Sequence, residues 1–276
     1  LDDTIKTPED LERHQLPFLG SIPAVKLAEV ARRLKQEGRP YSVDELDRLE
    51  SKLVTHFSPR SPVSEAYRTL RTNIQLLNHN PTKKVLMITS AATKEGKSTV
   101  LANLGVTVAR TGARVLLVDS DLRHPALHEF FGFDGTPGLT DILQGSLTLE
   151  QAAKPTDIET LSIVTSGEEP ENPSEMTASD AFRDFIETTR QKYDFVLMDS
   201  PPLMAVADGV VLASRVDGTL LVVASGFVSP REVNHAISLL RNVGVPFLGV
   251  VLNGLDIKKI YGSYYYHFHY YHYHQY

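Results

Sequence analysis

The feature that most constrains the fold of this chain is a series of short, wholly apolar runs that alternate with helical patterns from Lys83 onward. A run that is apolar at every position is typical of a strand buried on both faces of a sheet. Such strands, separated by helices, predict an α/β fold with a doubly wound, mostly parallel sheet covered by helices on both faces. The predicted strands span residues 85–88, 115–118, 161–164, 195–198, 219–223 and 247–252.

The first 61 residues differ from this pattern and predict a helical segment with a linker ahead of the sheet. Residues 57–62 are rich in proline and serine, which is typical of a linker. Helices are predicted after Thr7, over residues 25–36, after Ser42 and over residues 62–79. We therefore divide the chain into an N-terminal segment (1–61), an α/β domain (62–260) and a C-terminal tail (261–276).

The last sixteen residues form a low-complexity tail with no aliphatic side chain after Ile260. A segment with so little to bury is expected to be flexible. Its alternating histidines would allow chelation of Ni²⁺, Cu²⁺ or Zn²⁺, although incidental histidines in a solvated tail are the simpler interpretation. The tail contains Tyr261, Tyr264, Tyr265, Tyr266, Tyr270, Tyr271, Tyr273 and Tyr276, together with His267, His269, His272 and His274.

Composition excludes several classes of protein. Hydrophobic residues make up 42% of the chain and charged residues 22%, which is typical of a folded protein and not of a disordered one. The net charge of −6 argues against a general nucleic-acid binder, and the absence of cysteine excludes disulfides, thiolate zinc sites and a cysteine nucleophile. No apolar run reaches the roughly 18–20 residues of a membrane-spanning helix. The start at Leu1, and not at Met, indicates a fragment of a longer protein.

A phosphate-binding loop is predicted directly after the first of the apolar strands. A turn between a strand and a helix N-terminus directs backbone N–H groups and the positive end of the helix dipole at an anion. Lys97 is expected to pair with the outer phosphates and Ser98 Oγ to reach Mg²⁺. The loop departs from the strict G-x-x-x-x-G-K-[ST] pattern, because Ala91 stands at the first glycine. The predicted nucleotide-binding residues of the loop are Thr93, Lys94, Glu95, Gly96, Lys97, Ser98 and Thr99.

Three aspartates stand at the ends of two other predicted strands. Asp119 and Asp121 follow the strand 115–118, and Asp199 follows the strand 195–198. Because ligands of open α/β sheets bind beyond the carboxyl ends of the strands, these carboxylates and the loop are expected to converge. Two strand-end carboxylates with phosphate and water would suit Mg²⁺. The spacing does not say which aspartate acts as a base.

In this combination the chain resembles the bacterial protein-tyrosine kinases, the BY-kinases, of the type fused to a polysaccharide co-polymerase in Gram-negative bacteria. Residues 119–123 resemble their second Walker motif (A′), 195–202 their Walker B motif, 65–71 their E-x-x-R-x-x-R motif and 261–276 their tyrosine cluster. Residues 167–175 resemble the loop before Walker B, and the opening stretch through 19–23 resembles the segment after the last membrane helix of the fused members.

Two positions of the loop depart from related sequences. Lys94 stands where the family usually has glycine, which would cost energy if the position needs a positive φ. Ala92 stands where the related cell-division and plasmid-partition ATPases carry a signature lysine, and this favours the kinases.

The resemblance implies a P-loop NTPase fold and an autophosphorylating tyrosine kinase that uses ATP and Mg²⁺. Asp119 would be the base, and Asn253 would contact adenine as in related ATPases. The eight tail tyrosines would be the phosphosites, used in trans within a ring of copies that governs synthesis or export of an extracellular or capsular polysaccharide. The implied catalytic residues are Lys97, Asp119, Asp121 and Asp199, the metal ligands Ser98, Asp121 and Asp199, and the ring-interface residues Glu65, Arg68 and Arg71.

The resemblance also implies partners and a location. The partners would be further copies of the chain, the membrane-spanning portion of the same protein and a tyrosine phosphatase, with no nucleic acid. The location would be the cytoplasmic face of the bacterial inner membrane.

Three points in the interpretation of the residues stay open. The same Walker residues would serve an ATP-driven assembly switch that phosphorylates no protein. Tyr67, which lies between the interface residues, is interpretable as a core residue, an interface residue or a phosphosite. Arg123 is interpretable as a motif residue or as a surface pairing group.

Overall fold

The computed structural model describes residues 3–25, 53–77 and 85–256, and within them the chain forms one eight-stranded sheet. The strand order is β1-β8-β7-β2-β6-β3-β5-β4, and neighbours run parallel except for β4, which is antiparallel to β5. The strands are β1 (Phe18–Pro23), β2 (Val85–Ser90), β3 (Val115–Asp119), β4 (Lys154–Pro155), β5 (Leu161–Val164), β6 (Phe195–Asp199), β7 (Gly218–Ala224) and β8 (Phe247–Leu255).

Helices cover both faces of the sheet. Alternate residues of the central strands enter two separate cores: Met87 and Met198 pack on one face, Leu86 and Leu197 on the other. The helices are α1 (Pro8–Arg13), α2 (Val54–Phe57), α3 (Pro62–Leu77), α4 (Lys97–Ala109), α5 (Leu127–Phe131), α6 (Leu139–Leu143), α7 (Leu149–Ala152), α8 (Pro173–Ala178), α9 (Asp180–Lys192), α10 (Asp208–Ala213) and α11 (Pro230–Asn242). Helices α3, α4 and α5 contribute to one core, whereas α9, α10 and α11 contribute to the other. The predicted doubly wound α/β fold is therefore confirmed.

All six strands predicted from apolar runs are present, but β1 and β4 were not predicted. Strand β1 is the larger departure from the prediction, because it lies within residues 1–61, which were expected to form helices and a linker ahead of the sheet. It pairs in parallel with β8 at the sheet edge and buries Leu19 and Ile22. Gly249 permits this approach, since a Cβ there would lie 2.8 Å from Leu19 Cγ and 2.9 Å from Pro17 O.

The helices predicted on either side of β1 are confirmed where the structure describes them. The amide of Asp10 donates to Thr7 Oγ1 at 3.3 Å and the amide of Thr7 donates to Asp10 Oδ2 at 3.0 Å, so α1 begins with a capping box. The predicted linker is a turn after α2, and Ser64 Oγ donates to Ser58 O at 2.7 Å across it. The helices predicted over 25–36 and after Ser42 fall almost wholly outside the described residues.

No helix in the described parts of the chain combines the length and the apolar character that a membrane crossing requires. The tail, with its tyrosines and histidines, lies outside the described residues. The division of the chain into three parts stays a prediction, although residues 18–23 belong to the sheet.

Candidate active site

The candidate site lies beyond the carboxyl ends of three adjacent strands, β2, β6 and β3. The loop after β2 leads into α4, β3 ends at Asp119 and β6 ends at Asp199. Asp119 and Asp199 are paired in register, so both carboxylates leave the sheet at the same level. The structure therefore brings together the loop and the strand-end carboxylates that the sequence placed on separate elements.

The backbone of the loop takes two left-handed residues before α4. Gly96, at the N-cap of α4, has a φ of 87°, and a Cβ there would overlap the side-chain amide of Asn253. Lys94 has a φ of 65°, a conformation that costs energy for any residue with a Cβ. Position 94 was expected to be strained if its backbone needed a positive φ. The structure shows that it does.

Lys97 lies between two of the aspartates. Its Nζ is 3.1 Å from Asp121 Oδ2 and 3.4 Å from Asp199 Oδ2. Burial by itself lowers the pKa of the Lys97 ammonium, but the carboxylates of Asp199 and Asp121 outweigh burial and hold this pKa above its ordinary value. Ser98 Oγ donates a hydrogen bond to Asp199 Oδ2. The side chains of Lys97, Ser98, Asp121 and Asp199 thus form one connected cluster.

Asp119 is buried and only half of its carboxyl group is satisfied. Its Oδ2 accepts hydrogen bonds of 2.9 Å from the amides of Ala126 and Leu127. Its Oδ1 is buried and has no hydrogen-bond partner among the residues that the structure describes. Burial raises the pKa of the Asp119 carboxyl, and the charge of Asp199 raises it further. A buried oxygen of this kind is available to a ligand or a proton.

The residues of this cluster fit Mg²⁺. Ser98, Asp121 and Asp199 offer only oxygen atoms, which are the ligands that Mg²⁺ prefers. Within residues 3–25, 53–77 and 85–256, no three His, Cys, Asp or Glu side chains make a complete metal site by themselves.

Two predicted nucleotide-binding residues, Asn253 and Glu95, use their side chains in hydrogen bonds with the protein backbone. The amide Nδ2 of Asn253 donates to Glu95 O at 3.0 Å. The Glu95 carboxylate is 1% exposed and accepts hydrogen bonds from the amides of Ala92, at 2.7 Å, and Ala224, at 3.0 Å. The side chain of Glu95 therefore accepts hydrogen bonds from the backbone of its own protein and is not available to a nucleotide.

Arg123 forms an ion pair next to the site, which agrees with its interpretation as a pairing group, but its partner Asp208 was not predicted. Arg123 Nε donates to Asp208 Oδ2 at 2.7 Å, and Ser174 Oγ donates to Asp208 Oδ1. Burial would raise the pKa of the Asp208 carboxyl, but the hydrogen bonds from Arg123 and Ser174 keep this pKa below its ordinary value. The pair joins the A′ loop (residues 119–123), which begins at the last residue of β3 and carries Asp119 and Asp121, to α10 and α8. Nothing in the spacing of the sequence marks Asp208 as the partner of Arg123.

The three residues predicted at a ring interface do not share one environment. Arg68 Nε donates to Glu65 Oε2 at 2.7 Å, and both side chains are about 40% exposed. Arg71 points to the end of α4, where its Nη1 donates to Thr107 O at 3.3 Å. Tyr67 is 1% exposed and packs in the core beneath α3, so the core interpretation of this residue is the correct one.

Comparisons with known proteins agree with this geometry. A family model described as ParA: NUBPL iron-transfer P-loop NTPase matches residues 81–260. The chain therefore belongs to the ParA-type P-loop NTPases, a class defined by its strand–loop–helix phosphate site and parallel sheet.

Similar proteins show to which group of P-loop NTPases the chain belongs. Tyrosine-protein kinase YwqD of Bacillus subtilis is 38% identical over 219 residues, which cover 79% of this chain and 92% of YwqD. Tyrosine-protein kinase Wzc of Salmonella typhi is 33% identical over 260 residues, 91% of this chain but 34% of Wzc. The structure of the kinase domain of Escherichia coli tyrosine kinase ETK superposes with a TM-score of 0.80 at 29% identity, covering 91% of this chain and 95% of that domain. The chain belongs to the bacterial tyrosine-protein kinases, as the sequence motifs implied.

Proposed function

We propose that this tyrosine kinase uses ATP and Mg²⁺ to phosphorylate the tail of another copy of itself within a ring. The acceptors would be Tyr261, Tyr264, Tyr265, Tyr266, Tyr270, Tyr271, Tyr273 and Tyr276. Many tyrosines spread over sixteen residues offer many registers to one active site. Reaching the site of a neighbour is easier for such a tail than folding back onto its own.

The observation that carries the proposal is the convergence of Lys97 with three strand-end aspartates, one of which has a buried oxygen without a hydrogen-bond partner in the described part of the chain. Phosphoryl transfer needs charge neutralisation, in-line positioning and an acceptor for the hydroxyl proton. Lys97 and the loop amides over residues 93–99 would hold the β- and γ-phosphates. Ser98, Asp121 and Asp199 would hold Mg²⁺, which would neutralise charge on the transferring group.

Asp119 is the base in this proposal. Its Oδ1 would accept the proton of the tyrosine hydroxyl, because this oxygen is free whereas Oδ2 is occupied by two amides. A raised pKa brings the proton affinity of the carboxylate closer to that of a tyrosine, whose ordinary pKa is about 10. Asn253 would use its Oδ1 toward adenine, since its Nδ2 already donates to the loop.

The setting of the domain is also proposed. The chain spans 34% of the length of Wzc, which supports a kinase domain (62–260) joined through residues 1–61 to a membrane-spanning portion. We place this domain at the cytoplasmic face of the bacterial inner membrane. There it would regulate synthesis or export of an extracellular or capsular polysaccharide and be reset by a tyrosine phosphatase. The exposed Glu65 and Arg68, with Arg71, would contribute to the contacts between copies.

Mapping of phosphotyrosine by mass spectrometry tests the proposal. The wild type, incubated with ATP and Mg²⁺, is expected to carry phosphate within residues 264–276, whereas Lys97→Met carries none because it lacks the cation that holds the phosphates. A mixture of Lys97→Met with wild type truncated after residue 260 isolates transfer in trans, because only the inactive copy then has a tail. Phosphate on that tail is the expected result. A bare wild-type tail in spite of ATP hydrolysis would instead establish an ATPase assembly switch.

A further inference from the structure

The Glu95 side chain is a buried carboxylate in the loop that is expected to bind an anion. Its Oε1 accepts the amide hydrogen of Ala92 at 2.7 Å and its Oε2 accepts that of Ala224 at 3.0 Å. Ala92 belongs to the loop itself, and Ala224 is the last residue of β7. Both oxygens of the carboxylate are thus satisfied by main-chain donors from two different elements.

The main chain of the same residue is held from the other side. Glu95 O accepts a hydrogen bond of 3.0 Å from Asn253 Nδ2, and Asn253 lies in β8. The amide of Ser225 donates to Asn253 O at 2.8 Å and joins the end of β7 to β8. Glu95 therefore connects the loop to the end of β8, where Asn253 was predicted to contact adenine, and to the end of β7, which was not predicted to take part in the site.

These hydrogen bonds of Glu95 surround the strained part of the loop. The bond from Ala92 to Glu95 closes around Thr93 and Lys94, and Lys94 has the left-handed backbone with a φ of 65°. A residue with a Cβ persists in that conformation only where its surroundings hold it. Gly96, which follows Glu95, lies against Asn253 so closely that it has no room for a side chain.

We propose that Glu95 is a positioning residue, which shapes the loop for nucleotide before nucleotide arrives and does so through Ala92 and Ala224. A loop that already points its amides inward binds an anion without a further cost of ordering. The proposal rests on the nucleotide-binding role of the loop. It assigns to Glu95 no contact with the substrate.

The charge of Glu95 is part of this role. A carboxylate accepts from both amides, whereas a glutamine in its place has one acceptor and would set an NH₂ group against one of the N–H donors. The pKa of the Glu95 carboxyl is raised to about 7, mainly by burial and in part by the carboxylate of Glu232 in α11, although the hydrogen bonds from the backbone oppose this rise. The doubly accepting carboxylate therefore predominates above pH 7 and is replaced by the protonated form as the pH falls below 7.

Calorimetric titration with ADP and Mg²⁺ measures the effect on the whole chain. Glu95→Gln is expected to weaken ADP binding by about tenfold to a hundredfold, because it loses a hydrogen bond to a charged group. Wild type should bind ADP more weakly at pH 6 than at pH 8, and the variant should lose part of this dependence. The remaining dependence belongs to the other carboxylates of the site. Kinase assays should show a larger rise in KM for ATP than fall in kcat.

Glu159→Gln is the matched control, since Glu159 is exposed and precedes β5 at the opposite edge of the sheet. Glu95→Asp keeps the charge but is one methylene too short to reach both amides, so an intermediate affinity is expected. Equal ADP affinity and equal pH dependence in wild type and Glu95→Gln would overturn the proposal. So would a loss of the same size in Glu159→Gln.

Hydrogen exchange in the absence of nucleotide separates this proposal from the function on which it rests. The amides of Ala92 and Ala224 should exchange faster in Glu95→Gln and Glu95→Asp than in wild type, while amides in β3 keep their rates. Unchanged rates at both alanines would contradict the positioning role even if ADP binds. A wild type that protects both amides but binds no ADP would contradict the nucleotide-binding role of the loop. It would still support the hydrogen bonds of Glu95 to Ala92 and Ala224.

Discussion

Lys94 is the residue of the phosphate-binding loop that combines a left-handed backbone with an exposed charged side chain. The conformation costs a residue with a Cβ roughly 1–2 kcal/mol relative to the ordinary helical region. Its ammonium group stands on the loop that is expected to hold phosphates, so charge attraction would offset part of that cost when nucleotide binds. Gln15 has a similar backbone, with a φ of 54°, at an exposed position outside the site.

Replacement of Lys94 by glycine should separate these two effects. Lys94→Gly is expected to raise the free energy of unfolding by about 1 kcal/mol, because glycine adopts a positive φ without steric cost. It should also weaken ADP binding severalfold through loss of the ammonium group. Gln15→Gly is the control and should stabilise the chain similarly without changing ADP affinity. An unchanged affinity in Lys94→Gly would show that the lysine makes no contact with phosphate.

At the scale of elements, the ion pair of Arg123 with Asp208 links the A′ loop after β3 to α10, and Ser174 adds α8. Asp208 is 4% exposed in its side chain, so removal of its partner leaves a buried carboxylate without its cation. Because the pKa of Asp208 is lowered in the folded protein, this stabilisation is present at neutral pH and is lost as the pH falls from the ordinary carboxyl pKa through the lowered one.

Arg123→Ala is therefore expected to lower both the thermal midpoint and kcat. The A′ loop carries Asp119 and Asp121, and small displacements of catalytic groups lower rates by as much as about a hundredfold. Arg114→Ala is the matched control, because Arg114 pairs with Asp194 at the opposite end of β3 and both side chains are well exposed. Equal effects of the two substitutions on kcat would contradict a positioning role for the buried pair.

At the scale of the whole molecule, the negative charge of a phosphorylated tail is expected to affect the assembly of copies into a ring. The chain carries a net charge of −6, and each phosphate adds about −1.5 to −2 at pH 7. Several phosphates on one tail would repel neighbouring copies in a ring. Salt would weaken this repulsion, since charges in about 0.1 M salt are screened over roughly 10 Å.

Phosphorylated protein is therefore expected to sediment as smaller species than unphosphorylated protein at low salt with ATP and Mg²⁺. The difference should shrink at high salt. A variant with all eight tail tyrosines replaced by phenylalanine should keep the larger species after incubation with ATP. Identical sedimentation of the fully phosphorylated and unphosphorylated proteins would contradict the switch.

The sequence by itself determined the α/β class, the central strands and the residues that meet at their carboxyl ends. Each of these depends on a local pattern: an apolar run, a strand–loop–helix turn or an aspartate directly after a strand. Parallel strands then bring their ends to one edge without any further information, so Lys97 and Asp199, 102 positions apart, were predicted to converge.

Only the tertiary structure decided which side chains hold the site in shape. Glu95 meets Ala224 across 129 positions and Arg123 meets Asp208 across 85, and neither pairing leaves a periodicity or a spacing in the sequence. Strand β1 joins the sheet because Gly249 leaves room beside Leu19, which is a fact about the distance between two backbones. Local sequence patterns specify which strand, loop or helix carries a residue. The packing of distant elements specifies which groups its side chain contacts.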